Sequence, residues 1–176
     1  MFILEVATKA RQTDMAVLSQ KNRPVDSNPG VVLSFMADRP NTALTELSPS
    51  LRTKMYCKSA AAVDTQKDLD GVEPISDLPN LTDDGQHMGE FAWKYKQTGC
   101  TLTYDYGAGG ASNIVLSDVT VEALRLHCKE GGTTTWKWKC EIVDVDTKHF
   151  GTLAQFKNRE VSILLAGPEV QQDSIE

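Results

Sequence analysis

The chain has 176 residues, 40% of them hydrophobic and 24% charged, and carries a formal net charge of −6 at pH 7. A chain of this length can bury one sizeable core, and it favours one domain over two. The acidic net charge argues against nonspecific binding to nucleic acid, because contacts to phosphates need a basic surface.

The N-terminal residues lack the pattern of a signal peptide, since MFILEV is only a short apolar start before the polar ATKARQTD. No apolar stretch approaches the ~20 residues of a membrane span. We therefore expect a cytoplasmic protein whose cysteines stay reduced. The cysteines form no C-x-x-C pair, so the sequence predicts no zinc site and no other cofactor. They are Cys57, Cys100, Cys128 and Cys140.

The N-terminal third of the chain predicts two strands followed by two short helices. Apolar residues alternate in the two strand segments, whereas the polar stretch 9–30 contains prolines and is expected to be irregular. Ser48 and Pro49 are a favourable N-cap and first-turn pair between leucines at helical spacing. The predicted elements are strands over 1–8 and 31–37 and helices over 42–47 and 49–57.

An acidic segment follows. Residues 60–92 carry eight acidic side chains against one lysine, a net −7 that leaves about +1 on the rest of the chain. Weak periodicity, two prolines and three glycines predict a flexible acidic loop at about 60–90. It is either a solvated loop or the binding site for a basic partner. The candidate partner-binding residues are Asp64, Asp68, Asp70, Glu73, Asp77, Asp83 and Asp84.

Aromatic and lysine residues then alternate twice, in FAWKYK at 91–96 and in TWKWK at 135–139. The first run predicts a hairpin that turns at Thr98-Gly99, because this register keeps the rings on one face. The second predicts a hairpin whose loop is formed by residues 130–132. The apolar phase switches near Ala123–Leu124, which indicates a bulge or bend.

The alternation distinguishes two roles for the rings. Neighbouring side chains on a strand point to opposite faces, so Trp136 and Trp138 share one face and Lys137 and Lys139 share the other. A platform that stacks bases needs exposed rings beside cations, whereas this pattern favours rings in the core. Rings exposed on one sheet face are the alternative. The candidate nucleic-acid-binding residues are then Lys94, Lys96, Lys137, Lys139, Trp136 and Trp138.

Each possible catalytic or metal-binding group has a simpler structural explanation. The glycine-rich run 107–110 precedes a strand rather than the helix N-terminus that a phosphate site needs. His127 and Cys128 are adjacent on a strand and face opposite ways, so they cannot pair. Asp146, near His149, is explained as the cap of a short helix. The sequence therefore predicts a protein that is not an enzyme and binds no metal.

These elements predict an α+β fold that is predominantly β: an antiparallel twisted sheet or small barrel built from hairpins, with two or three short helices. A buried strand over 161–166 ends the predicted fold. We expect residues 1–166 to form a single β-rich domain that contains the flexible acidic loop at about 60–90, and residues 167–176 to form a loose tail.

The stretch 118–165 resembles small early-region proteins of tailed bacteriophages, and the likeness covers about residues 95–166. There, a strand, an E-G-G-T turn, a second strand, a G-x-L-x-x-L-type helix and a final strand follow one another. Residues 130–133 match the turn and Gly151 and Leu153 the helix, in which Phe156 replaces the second leucine. The resemblance implies a setting among nucleic-acid-handling functions such as recombination, single-strand protection or inhibition of host defence. It carries no active site.

Two hypotheses for the function follow. In the first, the protein is a binding protein of phage-accessory type that inhibits a host nucleic-acid-handling defence complex, anti-CRISPR-like in kind, by contacting its basic nucleic-acid-binding surface. In the second, it binds single-stranded nucleic acid as an accessory to phage recombination or replication. Both place the protein in the bacterial host cytosol and away from the membrane, and neither determines its oligomeric state.

Overall fold

The structure is a computed structural model that describes residues 2–18, 27–58, 77–105 and 113–168. Across these ranges it contains nine strands, three α-helices and one 3-10 helix. In chain order they are β1 Leu4–Val17, β2 Val31–Pro40, the 3-10 helix Asn41–Glu46, α1 Leu51–Met55, β3 Tyr56–Cys57, β4 Asn80–Leu81, α2 Asp83–Met88, β5 Glu90–Ala92, β6 Lys96–Tyr104, β7 Ile114–Lys129, β8 Thr133–Ile142, α3 Thr147–Gln155 and β9 Arg159–Ala166.

Seven strands form one sheet with the hydrogen-bonded order β5-β7-β6-β9-β1-β2-β8, and β7 pairs additionally with β8. Strands β3 and β4 form a separate two-stranded sheet. The pairings β1–β2, β1–β9, β5–β7, β6–β7 and β6–β9 are all antiparallel. The predicted fold class, a predominantly β antiparallel fold with short helices, is therefore confirmed. Of the two predicted forms, the structure shows a sheet rather than a small barrel.

The chain divides into two compact units. The first comprises residues 1–37, 93–124 and 137–176, and the second comprises residues 38–92 and 125–136. Strands β7 and β8 each contribute to both units. The expectation of one domain over residues 1–166 stays a prediction.

In the first unit, buried aromatic rings form the centre of the core. The Phe35 and Trp138 rings stack with their centroids 5.6 Å apart, and the Phe2 ring meets Trp138 edge-on at 5.2 Å. Such pairs contribute ~0.5–1.5 kcal/mol each beyond the burial of their area. A buried amide lies among them: the Gln12 side chain accepts a hydrogen bond from the Tyr104 hydroxyl at 2.7 Å and donates one to the Leu153 carbonyl at 3.0 Å. Both ends of this polar group are thus satisfied.

In the second unit, the buried Tyr56 side chain holds the residues on both sides of the 130–132 loop. Its hydroxyl accepts from the Lys129 backbone N–H at 3.1 Å and donates to the Thr133 carbonyl at 2.7 Å. Gly131 and Gly132 have positive φ angles of 84° and 78°, a conformation that glycine adopts without strain. The three-residue loop between β7 and β8 is therefore observed as predicted.

The phase switch predicted near Ala123–Leu124 is also observed. Ala123 has a φ of 55° and is exposed, while Leu124 is fully buried. Asp118, with a φ of 54°, marks a second switch that the sequence did not reveal. Each left-handed residue shifts the alternation of β7 by one position, so that its apolar residues return to the buried face.

Two sequence-based expectations are wrong. The stretch 9–30 is not irregular throughout, because β1 continues to Val17 and pairs with β2. Thr98 and Gly99 do not form a hairpin turn but lie inside β6, where the pairing with β7 shifts between Gln97 and Cys100. Gly99 has a φ of 72°, so its conformational freedom is used for a bulge within a continuing strand rather than for a chain reversal.

Candidate partner-binding surface

The predicted acidic loop at about 60–90 is described only from residue 77 onward. Asp64, Asp68, Asp70 and Glu73 lie outside the described residues, whereas Asp77, Asp83 and Asp84 lie within them. The described part is not a loop throughout, because it contains β4, α2 and β5. The tail predicted over 167–176 likewise lies outside the described residues after Pro168.

Thr82 anchors α2 and thereby positions two of the candidate acidic residues. Its backbone N–H donates to the Met55 carbonyl at 3.0 Å, and its hydroxyl donates to the Lys54 carbonyl at 2.6 Å. The same hydroxyl oxygen accepts from the Gly85 N–H at 3.1 Å, which caps the helix. Asp83 and Asp84 follow in the first turn, where the helix dipole favours negative charge. Both are exposed, so their carboxylates are accessible on a fixed backbone.

The close approach of this helix to α1 requires a glycine. A Cβ atom on Gly85 would lie 2.5 Å from the Met55 carbonyl oxygen, too close for any other residue. The sequence contained the signal for this helix, since Thr followed by two aspartates is typical of a helix start. We missed it because the surrounding prolines and acidic residues were interpreted as a loop.

Asp77 has a different role from the other two described aspartates. Its carboxylate is paired with the Arg52 guanidinium, and the hydrogen bond from Arg52 holds the pKa of Asp77 below its ordinary value. Arg52 also donates to the buried Asn41 side chain at 3.1 Å, and Asn41 donates to the Leu78 carbonyl at 2.7 Å. Asp77 is therefore held to Arg52 of α1, and Asp83 and Asp84 are the better candidates for contact with a partner.

The tryptophans that the alternative hypothesis required on the surface lie in the core. Trp136 and Trp138 are 0% and 1% exposed, which confirms the expectation that the alternation hides the rings. The guanidinium carbon of Arg39 lies 4.7 Å from the centroid of the Trp136 ring and covers one of its faces. The two rings are consequently wrong as members of a base-stacking site, because neither has a face that a base could reach.

The four candidate lysines are exposed, as the alternation predicts. Lys94 lies between β5 and β6, Lys96 begins β6, and Lys137 and Lys139 lie on β8. Strands β6 and β8 are not neighbours in the sheet order. The Lys96 ammonium lies 3.3 Å from the Glu122 carboxylate, so part of its charge is compensated. The structure therefore does not bring the four lysines together as one row.

The structure buries three of the four cysteines. Cys128 and Cys140 are buried, and burial raises the pKa of both thiols, so both are protonated at neutral pH. Cys128 is a small side chain of the core. Cys57 is exposed and Cys100 is buried, and all four cysteines are free. Cys128 is adjacent to His127 on β7 and faces the opposite side of the strand, and within the described ranges the His127 Nδ1 has no hydrogen-bond partner.

Asp146 is used as a helix cap, as expected. Its carboxylate accepts a hydrogen bond from the Lys148 backbone N–H at 2.7 Å at the start of α3. Among the residues that the structure describes, no group of three or more histidine, cysteine, aspartate or glutamate side chains could hold a metal ion. No helix within the described ranges is both long and apolar enough to span a membrane.

Comparisons of the chain with protein-family models, with curated proteins and with solved structures give no match.

Proposed function

We propose that the protein is a non-catalytic binding protein that attaches through its acidic segment to a basic, nucleic-acid-binding surface of a host protein complex. Occupation of that surface would block the complex, in the manner of an anti-CRISPR-type inhibitor of phage origin acting in the bacterial cytosol. The observation that carries the proposal is the net charge of −7 between residues 60 and 92, combined with the exposed Asp83 and Asp84 at the anchored start of α2.

Electrostatics supports this assignment. A concentrated negative charge is attracted to the same basic surface that attracts phosphates, and it accelerates the encounter with that surface. The described residues of the first unit carry as many basic as acidic side chains. The acidic segment is thus the strongest charge feature available for a basic partner.

The anchoring of α2 by Thr82 also supports the proposed function. The Thr82 hydrogen bonds to the backbone at residues 54 and 55 hold the first turn of α2 in place before any partner arrives. A pre-ordered contact loses less conformational entropy on binding than a disordered one, and the affinity rises accordingly. Asp83 and Asp84 can therefore contribute to the interface without first having to be ordered.

The test is a matched pair of charge variants used as bait in a nuclease-treated bacterial lysate. One variant carries Asp70→Asn, Asp83→Asn and Asp84→Asn. The control carries Glu5→Gln, Asp118→Asn and Asp144→Asn, and changes the net charge by the same amount. We expect wild type and control to capture the same nucleic-acid-binding complex, added DNA to displace it, and the first variant to lose it. Equal capture by both variants, or capture that excess DNA leaves unchanged, contradicts the proposal.

A second candidate function is binding of single-stranded nucleic acid, which the exposure of Lys94, Lys96, Lys137 and Lys139 favours. Lysines alone would give binding that weakens steeply as salt rises. Because Trp136 and Trp138 are buried and Trp93 is half-buried, tryptophan emission should respond weakly to a bound strand, and anisotropy of a labelled oligonucleotide is the better probe. Salt-dependent binding that is lost in the Lys137→Gln, Lys139→Gln variant would favour this function over the first.

A further inference from the structure

One edge of β6 is paired over only part of its length. Strand β7 pairs with β6 from its first residue to its last, whereas β9 pairs with it only from Thr101 onward. Within the described ranges, no strand lies on the β9 side of residues 96–100. Trp93 continues the pairing with β7, since its N–H donates to the Leu124 carbonyl at 2.8 Å. The side of residues 93–100 that faces away from β7, which we call the β6 edge, therefore carries backbone groups that can pair with a further strand.

The end of β9 is directed along this edge. The pairing of β6 with β9 is antiparallel and ends with Thr101 opposite Ala166, so a chain that continues after Ala166 passes residues before Thr101 in reverse order. The position of Pro168 agrees with this direction, because a Cβ atom built on Gly99 would lie 3.3 Å from the Pro168 Cβ. Proline has no N–H to donate, so the hydrogen-bonded pairing is interrupted there while the two segments stay adjacent.

The charges of the β6 edge complement those of the residues that follow Pro168. Residues 93–100 contain two lysines and no acidic residue, whereas residues 169–176 contain three acidic residues and no basic one. Lys96 is paired with Glu122 of β7, and Lys94 forms no ion pair with any described residue. Opposite charges on neighbouring strands favour their pairing, and like charges oppose it. The local charge at this edge therefore favours a strand formed by residues 169–176.

The position of Pro168 also identifies the occupant as a segment of the same chain. Because Pro168 already lies beside Gly99, the next residues are tethered to the β6 edge. Tethering makes their pairing intramolecular and gives them a high effective concentration at the edge. A strand from another molecule has no such tether and must compete with the chain's own residues.

We propose that residues 169–176 continue β9 beyond Pro168 and pair with the β6 edge as an antiparallel strand, in place of the loose tail that the sequence predicts. This strand closes an edge at which a strand of another protein or of a second copy would otherwise pair. The pairing involves no residue of the acidic segment. It therefore goes beyond the proposed function and can succeed or fail separately from it.

The test is amide hydrogen exchange of the full chain, measured by mass spectrometry on peptides that cover residues 93–100. The variant carries Gln171→Pro and Gln172→Pro, and the matched control carries Gln171→Ala and Gln172→Ala. Neighbouring residues of a strand direct their N–H groups to opposite sides. One of the two prolines therefore removes a hydrogen bond to β6 whatever the register of the new strand, while neither variant changes the charge.

We expect wild type and control to exchange alike, and the proline variant to exchange ~10-fold faster across residues 93–100, as the loss of one or two hydrogen bonds implies. Exchange across residues 114–122 of β7 should be the same in all three proteins, which verifies that each is folded. Equal exchange of residues 93–100 in wild type and proline variant overturns the proposal. A control that exchanges as fast as the proline variant also overturns it, because pairing depends on the backbone N–H and not on the glutamine side chains.

Protein concentration distinguishes the chain's own segment from that of a second copy. Pairing within one chain protects residues 93–100 to the same degree at low and high protein concentration, whereas pairing between copies is lost on dilution. We expect the exchange rates of the wild-type protein to be independent of concentration. Rates that rise on dilution overturn the docking of a chain's own segment and assign the β6 edge to a second copy.

Discussion

Replacing Tyr56 by phenylalanine removes one hydroxyl group and leaves the buried ring in place. The hydroxyl accepts from the Lys129 N–H at 3.1 Å and donates to the Thr133 carbonyl at 2.7 Å, and the Thr134 hydroxyl lies 3.2 Å away. These partners flank the loop between β7 and β8, so the substitution leaves a backbone donor and a backbone acceptor unsatisfied. Each unsatisfied group costs ~1–3 kcal/mol when it is buried. Because Lys129 is only half-buried, we expect the free energy of unfolding to fall by about 2–3 kcal/mol.

Urea denaturation followed by circular dichroism measures this loss, and Tyr95→Phe provides a comparison at a half-buried hydroxyl. The Tyr95 hydroxyl accepts from the Phe2 N–H at 2.9 Å and donates to the Gln97 side-chain oxygen. At the usual net value of ~0.5–1.5 kcal/mol for each hydrogen bond, Tyr95→Phe should cost about 1–3 kcal/mol. The denaturant slope should be unchanged in both variants, because neither alters the surface exposed on unfolding.

The pH dependence gives an independent check on Tyr56. Burial raises the pKa of Tyr56 to about 12 from its model-compound value of 10.0. Between these pH values the unfolded chain loses the phenolic proton while the folded protein keeps it, so the wild-type protein loses stability as pH rises. The deficit of Tyr56→Phe should therefore shrink as the pH is raised from 10 towards 12. A Tyr56→Phe deficit below about 1 kcal/mol, or one independent of pH over this range, would refute the reasoning.

Two further predictions concern other parts of the fold. Gly85→Ala should destabilise the protein by ~1–3 kcal/mol, because its Cβ would lie 2.5 Å from the Met55 carbonyl oxygen. A Cβ at Gly151 in α3 would meet no atom of the described residues outside its own helix within 4 Å, so Gly151→Ala should stabilise the protein by ~0.5–1 kcal/mol. Effects of the same sign in thermal denaturation would contradict this contrast. The hydrogen bond from the Lys157 ammonium, at 2.7 Å, lowers the pKa of Asp14. Its stabilising contribution is thus present above the ordinary pKa of Asp and lost as the pH falls. Carboxyl NMR titration should give an Asp14 midpoint below 3.8 that rises in Lys157→Met, and an unchanged midpoint would show that the ion pair does not form.

The local sequence was sufficient to predict which side chains are buried wherever one face of a strand is apolar and the other is polar. The alternation of rings and ammonium groups around Trp136 and Trp138 determines which side is buried, because a shift by one residue would exchange every side chain between core and solvent. The Glu130-Gly131-Gly132 loop and the cap at Asp146 were predictable for a similar reason. Each depends on the conformation or hydrogen bonding of a few adjacent residues.

Contacts between residues distant in the chain determined the strand pairing and the packing that the sequence did not predict. Gly99 has the same backbone freedom in a turn as in a bulge, and only the pairing of β6 with β7 and β9 decides that the strand continues. The Phe156 ring meets the Tyr104 ring only because the end of α3 lies beside β6. No spacing in the sequence encodes that meeting, because residues some fifty positions apart become neighbours only when the strands are ordered in the sheet. The sequence by itself therefore determined the faces of the strands and the position of the acidic charge, while the tertiary structure alone decided which strands pair and which distant side chains meet.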